Sequence, residues 1–269
     1  MPDFFECLHP RTAAWFRGRF DRPTEAQERC VPRIVAGKSV LLSSPTGSGK
    51  TLAGFLGILD ALLKEDESDG LPRGVIRAVY ISPLRALAYD IEKNLREPLR
   101  GLELEGTIRV GLRTGDTTAA DRQQQRRHPP HILVTTPESL AILLPQKGWR
   151  EALIGCRHVI VDELHAFAET KRGAHLAVSL ERLERIANPD SAPDRQICRV
   201  GLSATVAPLE EVGRFLVGTQ AAPCHLEEAQ TERTSLIEVL TPLRKDPYPP
   251  AGYTATRVIR DMAEIVERN

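Results

Sequence analysis

Ser44-Pro45-Thr46-Gly47-Ser48-Gly49-Lys50-Thr51 sits between an apolar run, VLLS, and a longer stretch with helical periodicity, LAGFLGILDALL. Two glycines in such a loop let the backbone turn successive N–H groups onto one point. The helix that follows adds unpaired N–H groups and the positive end of its dipole, so the segment can cradle phosphate oxygens. Lys50 supplies a point charge for the β- and γ-phosphates of ATP, and the Thr51 hydroxyl a ligand for Mg²⁺. Against the pattern GxxxxGK[ST], the one departure is Ser44 in the first glycine position, where a small residue keeps the cradle.

An NTP site also needs an acidic residue at the end of another buried strand. Val159-Ile160-Val161-Asp162-Glu163-Leu164-His165 supplies an apolar run closing on two carboxylates. Asp162 is placed to hold Mg²⁺, directly or through water, and Glu163 to orient or deprotonate an attacking water. The plainer reading of the pair is solvated charge at the edge of a sheet.

These residues need elements to position them. Strands are predicted at Val40–Ser43, Ile76–Ser82, Ile108–Leu112, Ile132–Thr135, His158–Val161, Val200–Ser203 and Leu236–Leu240. Helices are predicted near Thr51–Lys64, Ala86–Leu95, Ala119–Arg126, Glu138–Leu144, Ala174–Ile186 and Leu209–Leu216. Strand–helix alternation predicts an α/β fold with a mostly parallel sheet covered on both faces. The proline-dense segment TPLRKDPYPPAGY reads as an interdomain linker over 241–254, which ends a first domain at 1–240. The helical pattern beyond it, in 255–269, reads as the start of a second domain.

At 269 residues, 41% apolar and 27% charged, the chain has the composition of a soluble globular protein. Zero formal net charge means that any polyanion site must come from local patches. Cys7, Cys30, Cys156, Cys198 and Cys224 are scattered without a CxxC pair, which fits a reducing compartment rather than a disulfide or zinc framework. With no apolar run of membrane-spanning length and no signal-peptide pattern at the N-terminus, the expectation is a cytoplasmic protein without a membrane partner.

Asp162-Glu163-Leu164-His165 is a DExH box, and Ser203-Ala204-Thr205 follows a later apolar strand. Upstream, Phe20 and Pro23-Thr24-Glu25-Ala26-Gln27 resemble the adenine-reading Q motif of superfamily 2 helicases. Ser82-Pro83-Leu84-Arg85-Ala86-Leu87 resembles their motif Ia, and Thr135-Thr136-Pro137-Glu138-Ser139-Leu140 their motif Ib. Together with the phosphate loop these stand in the family's order. More narrowly, SPLRALAYDIEKNLREPL, GLRTGDT, HPPHILVTTPESLAILL and VDELHAFAETKRGAHLAVSLERL are similar to the Lhr (large helicase-related) group, a resemblance that covers nearly the whole chain.

That resemblance implies a RecA-like P-loop NTPase domain with a sheet of about seven strands, and a 3′-to-5′ motor that unwinds DNA or RNA–DNA duplexes, in a setting of DNA repair. Its partners would be single-stranded or tailed duplex nucleic acid, DNA ahead of RNA, and a second RecA-like domain of the same protein. Gln27 would read the adenine edge with Phe20 or another aromatic nearby, and Ser44 to Thr51 would hold the triphosphate. Thr51 and Asp162 would hold Mg²⁺, and Lys50, Asp162 and Glu163 would carry the chemistry. Ser203 and Thr205, through His165, would couple nucleotide state to strand grip. Arg85, Arg113, Thr114, Thr136 and Glu138 would lie along the backbone of the tracking strand.

Each role has a plainer alternative. Gln27 can be a surface residue of an N-terminal helix, Ser203 and Thr205 caps for the helix near Pro208, and Arg85 and Arg113 solvated arginines. The group Arg122, Arg126, Arg127, His128 and His131 can contact nucleic acid or form a polar helix face. His165 reads as a network histidine rather than a metal ligand. No arginine-finger motif follows Thr205, so the chain by itself is expected to bind ATP weakly and turn it over poorly. Two rival readings remain: an ATP-gated translocase or remodeller that separates no strands, and a P-loop metabolite kinase.

Overall fold

The computed structural model describes residues 3–83, 85–190, 192, 196–218 and 223–230, with 259, 260, 262–264 and 266. The chain separates into two compact units, Met1–Thr231 and Glu232–Asn269. The predicted strand Leu236–Leu240 and the linker 241–254 lie outside the described residues. Of 255–269, the six described residues are helical.

In the first unit two helices, α1 (Pro10–Arg19) and α2 (Glu25–Val35), precede β1 (Val40–Ser43), α3 (Lys50–Asp69), β2 (Ala78–Ile81), α4 (Arg85–Gly101) and β3 (Val110–Arg113). There follow α5 (Ala119–Arg127), β4 (Ile132–Thr135), α6 (Pro137–Leu143), α7 (Lys147–Leu153), β5 (His158–Val161), a 3₁₀ turn (Leu164–Ala166) and α8 (Lys171–Ala187). The unit ends with β6 (Cys198–Ser203), α9 (Leu209–Val217) and β7 (His225–Glu228). The described strands form a seven-stranded sheet in the order β3-β4-β2-β5-β6-β1-β7. Every pairing is parallel.

The strand runs are apolar throughout because both sheet faces are covered. Val40, Leu42, Tyr80, Val134, Ile160 and Leu202 enter a core packed by α1 to α4, while Leu41, Val79, Ile81, Leu133, Val159 and Val161 enter one packed by α6 to α9. Alternate residues of one strand thus serve opposite layers. Arg199, buried on β6, donates to Glu181 (2.8 Å) and Glu184 (3.3 Å) of α8 and to the Leu216 carbonyl of α9 (3.2 Å), pinning both helices to the sheet.

Helices α1, α2 and α7 go beyond those predicted. α1 (PRTAAWFRGR) lacks a clear apolar stripe, α2 contains Pro32 and α7 has seven residues, features that blur helical periodicity. β7 (HLEE) lacks an apolar run because it lies at the sheet's edge.

α2 crosses α3 closely, with a Cβ at Gly57 falling 2.7 Å from both Cβ and Cγ2 of Ile34. Alanine adds about 1 kcal/mol of helix propensity, but overpacking a rigid β-branched neighbour costs about 1–3 kcal/mol. Gly57→Ala is therefore expected to destabilise the fold by a net of about 1 kcal/mol, read as a lower urea midpoint. An unchanged or higher midpoint would contradict the close crossing.

Candidate nucleotide and nucleic-acid site

The ends of β1, β6 and β5 lie side by side at the carboxyl edge of the sheet, each followed by one of the motifs. Crevices at this edge are where open α/β sheets bind ligands. The loop after β1 is tied into the sheet by its first residue, for the Ser44 N–H donates to the Ser203 carbonyl at 3.1 Å. The Ser44 and Ser48 hydroxyls lie 2.7 Å apart and close the loop on itself. Ser44 is absent from the left-handed region of backbone space, which explains why no glycine is required there. Gly47 and Gly49 do occupy that region, at φ +77° and +83°.

Lys50 is buried and its ammonium donates to the Ser44 carbonyl (3.1 Å), folding the side chain back over the loop. Pro45 and Thr46 are exposed on its outer surface, and Thr51 is half-buried in the first turn of α3.

Gln27 is buried rather than a surface residue. Its side-chain oxygen accepts the Thr24 N–H (3.0 Å) while the Thr24 hydroxyl accepts the Gln27 N–H (3.3 Å), a reciprocal cap that starts α2. The Thr24 hydroxyl also donates to the Ser48 carbonyl (2.8 Å), and a Cβ at Gly49 would fall 2.9 Å from Gln27 Nε2. The Q-like segment therefore braces the phosphate loop. Phe20, half-buried, packs against Phe16 and Trp15 with ring centroids at 4.8 and 6.0 Å.

Asp162 is 5% exposed, so the reading of solvated edge charge does not hold for it. One carboxylate oxygen accepts the Tyr80 phenol and the other the Glu163 N–H (2.9 Å). Burial raises the Asp162 pKa above its ordinary value, with Glu163 adding to the rise while Tyr80 and Lys50 oppose it. Tyr80 is pushed well above the usual tyrosine range by burial and by Asp162, so it remains a proton donor. Glu163 sits at φ +50°, a left-handed conformation that costs a side-chain-bearing residue roughly 1–2 kcal/mol.

That turn brings Glu163 Oε2 within 3.4 Å of His165 Nδ1. The same Nδ1 accepts the Ala204 N–H (3.2 Å) and lies 3.4 Å from the Ser203 hydroxyl, so the ring's proton belongs on Nε2. Contacts thus run from the phosphate loop through Ser203 and Ala204 to His165 and Glu163. Thr205 is exposed, and α9 is capped at Pro208 without any side-chain bond, so neither Ser203 nor Thr205 serves as its cap.

At the end of β3, Arg113 is 6% exposed, and its Nη1 has no acceptor among the described residues. Burial and the nearby Arg122 and Arg126 lower its pKa. Thr114 is buried and held by Thr117 (2.8 Å) and Asp116 (3.3 Å). Thr136 caps α6 by accepting the Ser139 N–H (3.3 Å). Glu138 is exposed but engaged: Arg172 donates to it (2.7 Å) and to the Pro83 carbonyl (2.9 Å), joining the two loops after β2 and β4. The Arg85 side chain lies outside the described residues.

Two residues were not singled out from the sequence. Tyr80 is a hydroxyl in an otherwise aliphatic strand, a usable signal, whereas Arg172 at the start of α8 carries none. The basic group divides. α5 buries no residue, as a polar helix face should, and Arg122 bonds the Thr117 and Gly115 carbonyls (2.8 Å each). Arg127, His128 and His131 line a separate cavity.

The donor set suits a triphosphate with a hard cation: a loop turned by Gly47 and Gly49, a buried ammonium, a hydroxyl at Thr51 and a buried carboxylate at Asp162. Among the described residues no group of three His, Cys, Asp or Glu side chains is placed to cage a metal.

Comparison with known proteins agrees. The family model described as DEAD/DEAH box helicase matches residues 24–212. The chain is 50% identical over 225 residues to the ATP-dependent helicase Lhr-Core of Methanothermobacter thermautotrophicus, covering 80% of this chain and 25% of that protein. It is 41% identical over 276 residues to the Lhr-Core of Methanocaldococcus jannaschii, covering 99% and 31%. Among solved structures, helicase Lhr of Mycobacterium smegmatis bound to ssDNA and AMP-PNP superimposes with a TM-score of 0.78 at 40% identity, over 99% of this chain and 33% of that one. The fold is therefore RecA-like, and the chain spans about a quarter to a third of the length of the two Lhr-Core relatives. With the motif model matched across most of the described core and its P-loop and DExH box side by side at one sheet edge, the chain belongs to the DEAD/DEAH box helicase family.

Proposed function

We propose that this chain is the first RecA-like motor domain of an ATP-driven nucleic-acid helicase, with the Lhr type as its model. The observation that carries the reading is the continuous contact path from Ser44 through Ser203 and Ala204 to His165 and Glu163, beside the buried Asp162. A site that only held nucleotide would need the cradle. A motor must also pass the state of the γ-phosphate to the strand-gripping loops, and this path ends on the element that leads into α8, where Arg172 reaches both of them.

In this reading the loop from Ser44 to Thr51 holds MgATP, with Thr51 and Asp162 toward the metal and Gln27, with Phe20, toward the base. Mg²⁺ would neutralise charge building on the phosphates. Glu163 orients the attacking water and takes its proton, while His165, which accepts the Ala204 N–H, couples the Ser203–Thr205 segment to the turn that carries Glu163. Arg85, Arg113, Thr114, Thr136 and Glu138 would lie along the tracking strand, and the acceptor-free Arg113 nitrogen supports a phosphate partner. Translocation would run 3′ to 5′ along single-stranded or tailed DNA in preference to RNA. The opposite wall of the ATP site, with its arginine finger, would come from a second RecA-like domain. In this scheme 1–240 is the motor domain, 241–254 the linker and 255–269 the start of that second domain.

In the full-length protein, Glu163→Gln is expected to lower DNA-stimulated ATP turnover by about 10²–10⁴-fold while nucleotide binding persists; turnover retained at the wild-type rate would remove Glu163 from its role. Tyr80→Phe deletes the donor that favours ionised Asp162, so the Mg²⁺ concentration for half-maximal turnover should rise and the acid limb of the pH profile should move upward; no change in either would sever Asp162 from the metal. Arg113→Ala should weaken single-strand binding across sequences and flatten the log K against log salt slope by about 1. A strand-displacement assay separates unwinding from its rival, because stimulated ATPase without displacement identifies a translocase or remodeller.

A further inference from the structure

The amino edge of the sheet, opposite the nucleotide edge, holds a second concentration of positive charge. A cavity of about 630 Å³ opens there between the end of α3 and the approaches to β3 and β4. Arg73, Arg109, Arg127, His128 and His131 line it against a single acidic residue, Asp66. Arg109 and His131 immediately precede parallel strands, which fixes the cavity at the end remote from the phosphate loop.

His131 is the informative member. It is 3% exposed, and its Nδ1 accepts the Arg109 N–H at 3.1 Å, which places the ring proton on Nε2. That buried Nε2–H has no hydrogen-bond partner among the described residues, and the Pro72 carbonyl nearby favours its protonated form without satisfying it. A buried donor left without a partner is costly, by about 1–3 kcal/mol, and calls for an acceptor. The surroundings select its charge. Arg109 uses one guanidinium nitrogen on the Pro129 carbonyl (3.1 Å), and Arg73 and Arg127 form no ion pair among the described residues. Asp66 is itself held by the Leu71 N–H (3.2 Å). Three guanidinium charges against one carboxylate leave a surplus that suits a doubly charged anion with several acceptor oxygens.

We propose that this cavity is a phosphate-binding site, separate from the P-loop, in which a phosphate group lies among the Arg73, Arg109 and Arg127 guanidiniums and accepts the His131 Nε2–H. The volume exceeds that of a bare phosphate and admits a larger phosphate-bearing ligand. The phosphate can belong to a small ligand or to a nucleic-acid backbone, and the test distinguishes them.

Long-range ¹H–¹⁵N spectra of the imidazoles, with His131 assigned by the resonance lost in His131→Asn, would be recorded during titration with inorganic phosphate and, separately, with oligo-dT lacking a terminal phosphate. A saturable shift of the His131 Nε2–H, weakened about tenfold in Arg73→Ala/Arg127→Ala, supports the site. Response to inorganic phosphate alone assigns a small ligand, and response to oligo-dT assigns a backbone. Absence of any saturable His131 shift, or a shift that the double variant leaves unchanged, overturns the proposal. Both arginines are exposed, so that variant should keep its fold, checked by an unaltered amide spectrum away from the cavity.

Discussion

The parallel alignment of β1, β6 and β5 governs everything at the candidate site. Strands about 4.8 Å apart bring the ends of three motifs into a span of roughly 10 Å, without any long loop to hold them. The amide of Ser44 extends the ladder by one bond onto Ser203, so the phosphate loop starts as sheet and becomes loop only at Pro45. Asp162 and Glu163 follow directly on the end of β5 beside them. Precision here comes from hydrogen-bonded register rather than from side-chain packing.

The electrostatics are held in tension around that edge. Asp162 is buried enough to resist ionisation, yet it is offered the Tyr80 phenol and the distant charge of Lys50, which favour it. Lys50 is buried with a single carbonyl partner. Two opposite charges, both buried at one edge of the sheet, form a site whose charge balance a metal–polyphosphate would complete. Arg113 repeats the theme at the end of β3, where one buried guanidinium nitrogen lacks an acceptor among the described residues.

Much of this was legible beforehand because the chemistry is local. A P-loop is a contiguous string, and Asp162-Glu163 closes an unmistakable apolar run, so the residues and the strands β1, β4 and β5 could be placed to the residue. The features that escaped are relations between distant segments. Thr24 and Gln27 have the spacing of a helix cap, but nothing in them announces that Thr24 also braces Ser48, and nothing in Arg172 announces Glu138. Periodicity also fails where burial is one-sided or a helix is interrupted, as β7 at the edge and α2 with its proline show. The cluster from Arg122 to His131 looked like one patch only because the chain was read in one dimension. A helix of nine residues carries its two ends to different edges of the sheet.

Arg172 has a mechanical consequence. Its guanidinium joins the loop after β2, at Pro83, to the first turn of α6, at Glu138, from a position at the start of α8. One planar fork thus links both segments to the same helix. The rim formed by these two segments is thereby tied to the start of α8 rather than to either segment alone.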